Sequence, residues 1–71
     1  MKLATLTVTG KTGPGFTVTA KVFHNVQFLT FNFARNTFSF SADEGSMDFD
    51  YDTTATVTFT ISGDAATIAI S

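Results

Sequence analysis

The stretch Thr56–Ile70, TVTFTISGDAATIAI, decides the fold. Val57, Phe59 and Ile61 alternate with Thr56, Thr58 and Thr60, Ser62-Gly63-Asp64 interrupts, and Ala66, Ile68 and Ile70 take up the alternation again. In an extended chain every second side chain points to the same face, so each run supplies one apolar face and one polar face. Two such runs separated by a glycine-containing turn predict two short β-strands.

The same period of two extends outward to both ends. Ala4, Leu6 and Val8 alternate with Thr5, Thr7 and Thr9, and Gly10 closes that strand. Gly10-Lys11-Thr12-Gly13-Pro14-Gly15 holds three glycines and the sole proline, which suits a turn and no regular element. Phe16, Val18, Ala20 and Val22, set against Thr17, Thr19 and Lys21, form a second strand. At Phe23-His24-Asn25 the alternation slips, which reads as a short turn or a bulge, and it resumes at Val26 and Phe28 or at Gln27 and Leu29. Leu29, Phe31 and Phe33 share the next apolar face, and Ala34-Arg35-Asn36-Thr37 makes a tight turn in which Asn36 accepts the left-handed conformation. Phe38 and Phe40 follow, with Ser39 and Ser41 facing outward. Asp43-Glu44-Gly45-Ser46 is a further hairpin signal. Beyond it Met47, Phe49 and Tyr51 oppose Asp48, Asp50 and Asp52.

No window carries the i, i+3, i+4 spacing of a helix. The chain therefore reads as all-β, a small antiparallel sandwich or partly closed barrel of six to seven short strands, mostly a meander, in a single domain spanning residues 1–71. The expected core is Leu6, Val8, Val18, Val22, Leu29, Phe31, Phe33, Phe38, Phe40, Phe49, Tyr51, Val57, Phe59, Ile61, Ile68 and Ile70. Nine phenylalanines in 71 residues are its main source, each burying roughly 150–250 Å² when enclosed.

Charge and composition narrow the function. Four basic residues, Lys2, Lys11, Lys21 and Arg35, are scattered against six acidic ones for a net charge of −2, so no clustered cationic surface is available for nucleic acid. With no cysteine there is neither a disulfide framework nor a thiolate metal site. No leader sequence opens the chain and no apolar run reaches the ~18 residues of a membrane span, so a protein made and folded in a cytoplasm, with no membrane partner, is expected.

Asp48, Asp50 and Asp52 are the concentrated charge. A calcium loop would wrap around its ion and add a glycine and a distal glutamate, whereas alternate residues of a strand stand about 6.5–7 Å apart, too far to converge on one ion. The stripe reads as a solvated strand face, useful for solubility and for blocking edge pairing. No metal or cofactor is expected. Catalytic carboxylates need a pocket that separates their pKa values. His24 has no companion nucleophile and reads as a turn residue or hydrogen-bonder. The GKTGPG run lacks the order of a phosphate-binding loop, and no serine sits in an elbow motif. Phenylalanines surrounded by Thr, Ser and Asp are core and not a nucleobase platform. An enzyme is not expected.

The threonine faces remain: Thr5, Thr7, Thr9, Thr17 and Thr19, with Thr56, Thr58 and Thr60. These strands are flat and poorly protected by charge, the first and the last two especially, and unguarded edges and uncharged faces suit a sheet that another chain covers. Thr5, Thr7, Thr9, Thr56, Thr58, Thr60 and the stripe Asp48, Asp50 and Asp52 are the candidate partner-binding residues.

The frames LTVTGKTGPGFTVTAKVFHNV, FNFARNTFSFS and TTATVTFTISGDAATIAIS together resemble small uncharacterised all-β proteins of tailed bacteriophages and prophages. The resemblance implies a phage setting and transfers no functional residue. Two functions follow from it. The first is a virion structural or accessory protein, as capsid decoration or a neck or tail component, made in the host cytoplasm and bound to itself or to a larger phage structural protein. The second is a free inhibitor of a host defence protein or enzyme that uses the acidic stripe; a net charge of only −2 argues against broad DNA mimicry.

Overall fold

The computed structural model describes residues 2–13 and 17–71. Six strands fill most of that length: β1 (Lys2–Lys11), β2 (Thr17–Asn32), β3 (Thr37–Ala42), β4 (Gly45–Asp50), β5 (Val57–Ser62) and β6 (Ala65–Ile70), with no helix among the described residues. They form one open sheet in the order β4-β3-β2-β1-β6-β5. The all-β expectation holds, and the strand count is six because the runs flanking Phe23-His24-Asn25 belong to a single 16-residue strand. Pro14 and Gly15 of the expected turn, and Phe16 at the expected start of the second strand, lie outside the described residues.

The turns follow the punctuation of the sequence. Ala42 pairs with Gly45 around Asp43-Glu44, and Ser62 pairs with Ala65 around Gly63-Asp64. Gly45 and Gly63 take φ of 119° and 61°, and Asn36, ending the turn between β2 and β3, takes 54° as expected. The meander is incomplete. Four neighbouring pairs are antiparallel, but β1 and β6 run parallel, with Leu6 beside Ala66 and Val8 beside Ile68.

The parallel pair forces the chain to pass from edge strand β4 to edge strand β5 through residues 51–56. Seven residue steps reach at most about 25 Å. Five strand spacings in a flat sheet already need about 24 Å. Part of that reach is spent in a turn, where the Ala55 amide donates to the Asp52 carbonyl at 2.9 Å, so the sheet has to curl. It does: the rings of Phe31 on β2 and Phe59 on β5 meet at 5.6 Å, although two strands separate them in the sheet.

β-Bulges supply the curvature. β2 carries one residue more than β1 between Val18 and Lys21, where Ala20 has φ 35°, and one more than β3 between Gln27 and Thr30, where Phe28 has φ 59°. Each extra residue bends the strand and increases its twist. Between these two sites β1 and β2 change face together. Leu3 pairs with Val26 and Leu6 with Phe23, all four buried, although each pair of successive inward residues is three positions apart. Asn25, at φ 53°, marks the change of phase.

Inside the curl lie Leu3, Leu6, Val8, Phe23, Val26, Phe38, Phe40, Tyr51, Ala66, Ile68 and Ile70, flanked by Leu29, Phe31, Phe49, Val57 and Phe59. Phe23, Phe31, Phe38, Phe40, Phe49 and Tyr51 form a continuous aromatic chain at centroid distances within the favourable range of about 4.5–7 Å. Three expected core residues are exposed instead. Val22, 46% exposed, pairs with Thr7 and so shares the outer face. Phe33, 73% exposed, lies beyond the end of β2 and stacks on Phe31 from outside at 5.7 Å. Ile61, 50% exposed, pairs with Ala66 on the inner side, but β5 has no neighbour beyond it to cover that side chain. Ala4, read as facing inward with Leu6, is exposed, and Leu3 takes the inward place.

Candidate functional site

The open sheet has two edges of different chemistry. On β4, Met47 and Phe49 turn inward and are half-buried, while Asp48 and Asp50 are exposed, as the alternation predicts. Asp52 is not part of that strand. It lies in the β4–β5 connection, where its Oδ1 accepts hydrogen bonds from the Thr54 amide and the Thr54 hydroxyl, both at 2.8 Å. These donors, the amide first, hold the Asp52 carboxyl below its ordinary range, aided by the Lys11 charge. The stripe is thus two edge-strand carboxylates and one turn-forming carboxylate. Among the described residues no three His, Asp or Glu side chains converge as a metal site would require.

On the opposite edge, β5 carries Thr58 and Thr60 on its exposed face and no charged residue from Val57 to Ser62. Thr56 directly precedes it, its amide donating to the Ser71 carbonyl at 2.7 Å. The first threonine row lies elsewhere. Thr5, Thr7 and Thr9 belong to β1, which has neighbours on both sides, and they are half-buried. Across the outer face Thr7 stands between Val22 and Thr67, and Thr67 beside Thr60, so the two threonine rows join in one nearly uncharged surface. Of the strands read as unguarded, β1 and β6 are interior and β5 alone is an edge.

His24 and Asn25, at the phase change of β2, are clasped by the β3–β4 turn. The His24 amide donates to Glu44 Oε1 at 2.9 Å, and His24 Nδ1 lies 2.6 Å from Glu44 Oε2. Asn25 Nδ2 donates to Asp43 Oδ2 at 2.7 Å, and the Asp43 amide donates to the His24 carbonyl at 2.9 Å. The His24 ring, followed by the His24 amide, holds the Glu44 carboxyl below its ordinary value. A strand that departs from regular pairing leaves polar backbone groups to be satisfied, and this turn satisfies them.

A shallow groove of about 250 Å³ crosses the outer face of β3 and β4. The cross-strand pairs Ser39–Asp48 and Ser41–Ser46 line it, with Met47 adjacent, and Phe28 stands at its side. Phe28 is 72% exposed because the bulge at its position throws the side chain out of the inward series formed by Val26, Leu29 and Phe31. The sequence leaves the face of Phe28 open, since the alternation resumes either at Val26 and Phe28 or at Gln27 and Leu29, and assigns the residue to neither the core nor a site; the slipped phase after His24 is the available signal. A second concavity, bounded by Arg35, Asn36, Asp50, Tyr51 and Asp52, lies at the far end of β4.

Fold and surface together define a small all-β domain on one curled, open, mixed sheet, with one acidic edge and one uncharged edge. No protein family model, no curated protein and no solved structure matches the chain.

Proposed function

We propose that this chain is a non-enzymatic assembly protein, a structural or accessory part of a phage particle such as capsid decoration, a neck or a tail component, that joins its neighbours through its uncharged sheet edge. The observation that carries the reading is the asymmetry of the two edges. β4 presents Asp48 and Asp50, the kind of charge that blocks edge-to-edge pairing, whereas β5 presents Thr58 and Thr60 beside the half-open Ile61. An unpaired strand without charge offers backbone donors and acceptors to an added strand from another chain. The partner is a second copy or a larger structural protein, and the location is the virion. The phage setting rests on the resemblance of the sequence frames alone.

The test is attachment. Thr58→Lys combined with Thr60→Lys places two charges on the β5 edge and is expected to abolish particle attachment and self-association while leaving the circular-dichroism spectrum intact. Thr7→Lys, in the middle of the sheet, is expected to preserve both. Quantitative mass spectrometry of purified particles should find tens to hundreds of copies, the usual yield of a symmetric shell. Absence from particles, with abundant protein in infected cells, rejects the virion role and favours a free inhibitor of a host protein.

A further inference from the structure

We propose that the groove beside Phe28 is a docking site for a cationic peptide segment of a protein partner, one that offers an apolar side chain next to a lysine or arginine. The site is independent of the β5 edge, because it lies on the outer face of β3 and β4, on the other side of the sheet order.

Shape sets the size of the occupant. A space of about 250 Å³ falls below the roughly 300–1,000 Å³ of small-molecule sites, so it suits one or two side chains of a longer segment. Chemistry sets its composition. Phe28 supplies an apolar wall, 72% exposed. Ser39, Ser41 and Ser46 supply neutral donors and acceptors, and Asp48 supplies a carboxylate within the lining. The β4 side of the groove is acidic: Asp48 lies in the lining, Asp50 follows on the same strand, and Asp43 and Glu44 form the turn before it, while the basic Lys2 stands on the opposite side, paired with Gln27. A cation on the occupant is attracted to this surface and a nucleic-acid phosphate is repelled.

Phe28 is also an unfavourable choice for folding alone. Its φ of 59° lies in the left-handed region that L side chains rarely adopt, and its ring stays largely in water. Asparagine tolerates that conformation better and removes the exposed ring. Stability and binding are therefore expected to respond to Phe28→Asn in opposite directions.

The probe is a fluorescein-labelled peptide of about nine residues alternating lysine and leucine, with a glutamate–leucine peptide as its counterpart, each titrated by fluorescence polarisation at low and high salt. The lysine peptide is expected to bind, to weaken as salt rises, and to exceed the glutamate peptide by about tenfold or more, a difference large enough to separate charge selection from nonspecific apolar adhesion. Phe28→Asn is expected to lose that binding while its melting temperature stays level or rises. Asp48→Asn is expected to weaken binding and flatten the salt dependence. Equal binding of the two peptides overturns the proposal, as does unchanged binding by Phe28→Asn. A fall of several degrees in the melting temperature of Phe28→Asn assigns Phe28 a structural role and also overturns it. A self-associated wild type that becomes monomeric in Phe28→Asn replaces the peptide with a second copy of this chain. Failure here leaves the β5 reading standing, since the Thr58 and Thr60 variants do not touch this groove.

Discussion

Gly10 shows how one residue can hold two elements together. It has φ 102°, it pairs with Val18 and Ile70 in the middle of the sheet, and a Cβ built on it would lie 1.8 Å from the Ile70 carbonyl oxygen. The contact is with backbone, so no side-chain rotation relieves it. Gly10→Ala is expected to destabilise by more than about 4 kcal/mol, enough to leave little folded protein in a domain of this size. Gly63 is the control. Its φ is 61°, but a Cβ there meets nothing within 4 Å, so Gly63→Ala should cost only about 1–2 kcal/mol of left-handed strain. Urea unfolding of both variants checks the contrast, and equal costs would mean that the close approach to Ile70 is absent. The sequence marked Gly10 as a strand end, yet β1 continues to Lys11. A glycine required by close packing and a glycine that stops a strand look alike until the neighbouring backbone is placed.

Glu44 makes a second argument at this scale. Hydrogen bonds from the His24 ring and amide lower its folded-state pKa below the ordinary 4.5. A depressed carboxyl contributes stability that is fully present above the unfolded-state value and disappears as pH falls through the folded-state value. Glu44→Gln is therefore expected to melt below the wild type at neutral pH, with the gap closing as pH drops below 4.5. Because the group is exposed, the gap should be small. Melting curves from pH 7 down to strong acid give the test, and a gap that widens in acid contradicts the clasp.

Among the elements, β2 does most to shape the molecule, and it explains which parts of the fold the sequence reveals. Strand positions, the turns at Asn36, Asp43-Glu44 and Gly63-Asp64, and the inward faces of β3, β4, β5 and β6 follow from regular alternation, because there the period of two and the turn residues agree. Around β2 the local pattern misleads. Two bulges and a change of face move Phe23 and Val26 inward and Val22 and Phe28 outward, and the compensating shift in β1 brings Leu3 in. Strictly local alternation cannot register a shift that two strands make together. The candidate surfaces divide in the same way: the carboxylates of β4 were legible as an outward stripe, while Phe28 was hidden by a bulge, and which threonines lie on an edge depended on strand order. The curl that β2 produces is testable through Phe31 and Phe59. Their rings meet at 5.6 Å across the inside of the curl, so a double-mutant cycle to alanine should give a coupling of about 0.5–1.5 kcal/mol. Zero coupling would indicate a flatter sheet.

At the scale of the whole molecule the decisive feature is the parallel pairing of β1 with β6, which joins Thr5 to Ala65 and Gly10 to Ile70 across almost the full length of the chain. The other pairings are mostly local. β2, β3 and β4 form a meander with short turns, and β5 pairs only with β6. Closing a long loop costs chain entropy before its contacts return anything, so local hairpins are favoured early and the β1–β6 contact late. The consequence appears in the kinetics of two buried residues. Phe38 sits within the meander, opposite Phe31 and Phe49, and Ile68 sits in β6 beside Val8. Phe38→Leu should express most of its cost as slower folding. Ile68→Val, costing about 1 kcal/mol, should leave the folding rate nearly unchanged and raise the unfolding rate about fivefold. Stopped-flow chevron plots of both variants separate the cases, since both substitutions exceed the roughly 0.6 kcal/mol below which such ratios lose meaning. If Ile68→Val slows folding as much as Phe38→Leu does, the two ends of the chain meet before the transition state. The sheet would then grow outward from its parallel centre, leaving both edges, the acidic β4 and the uncharged β5, to form last.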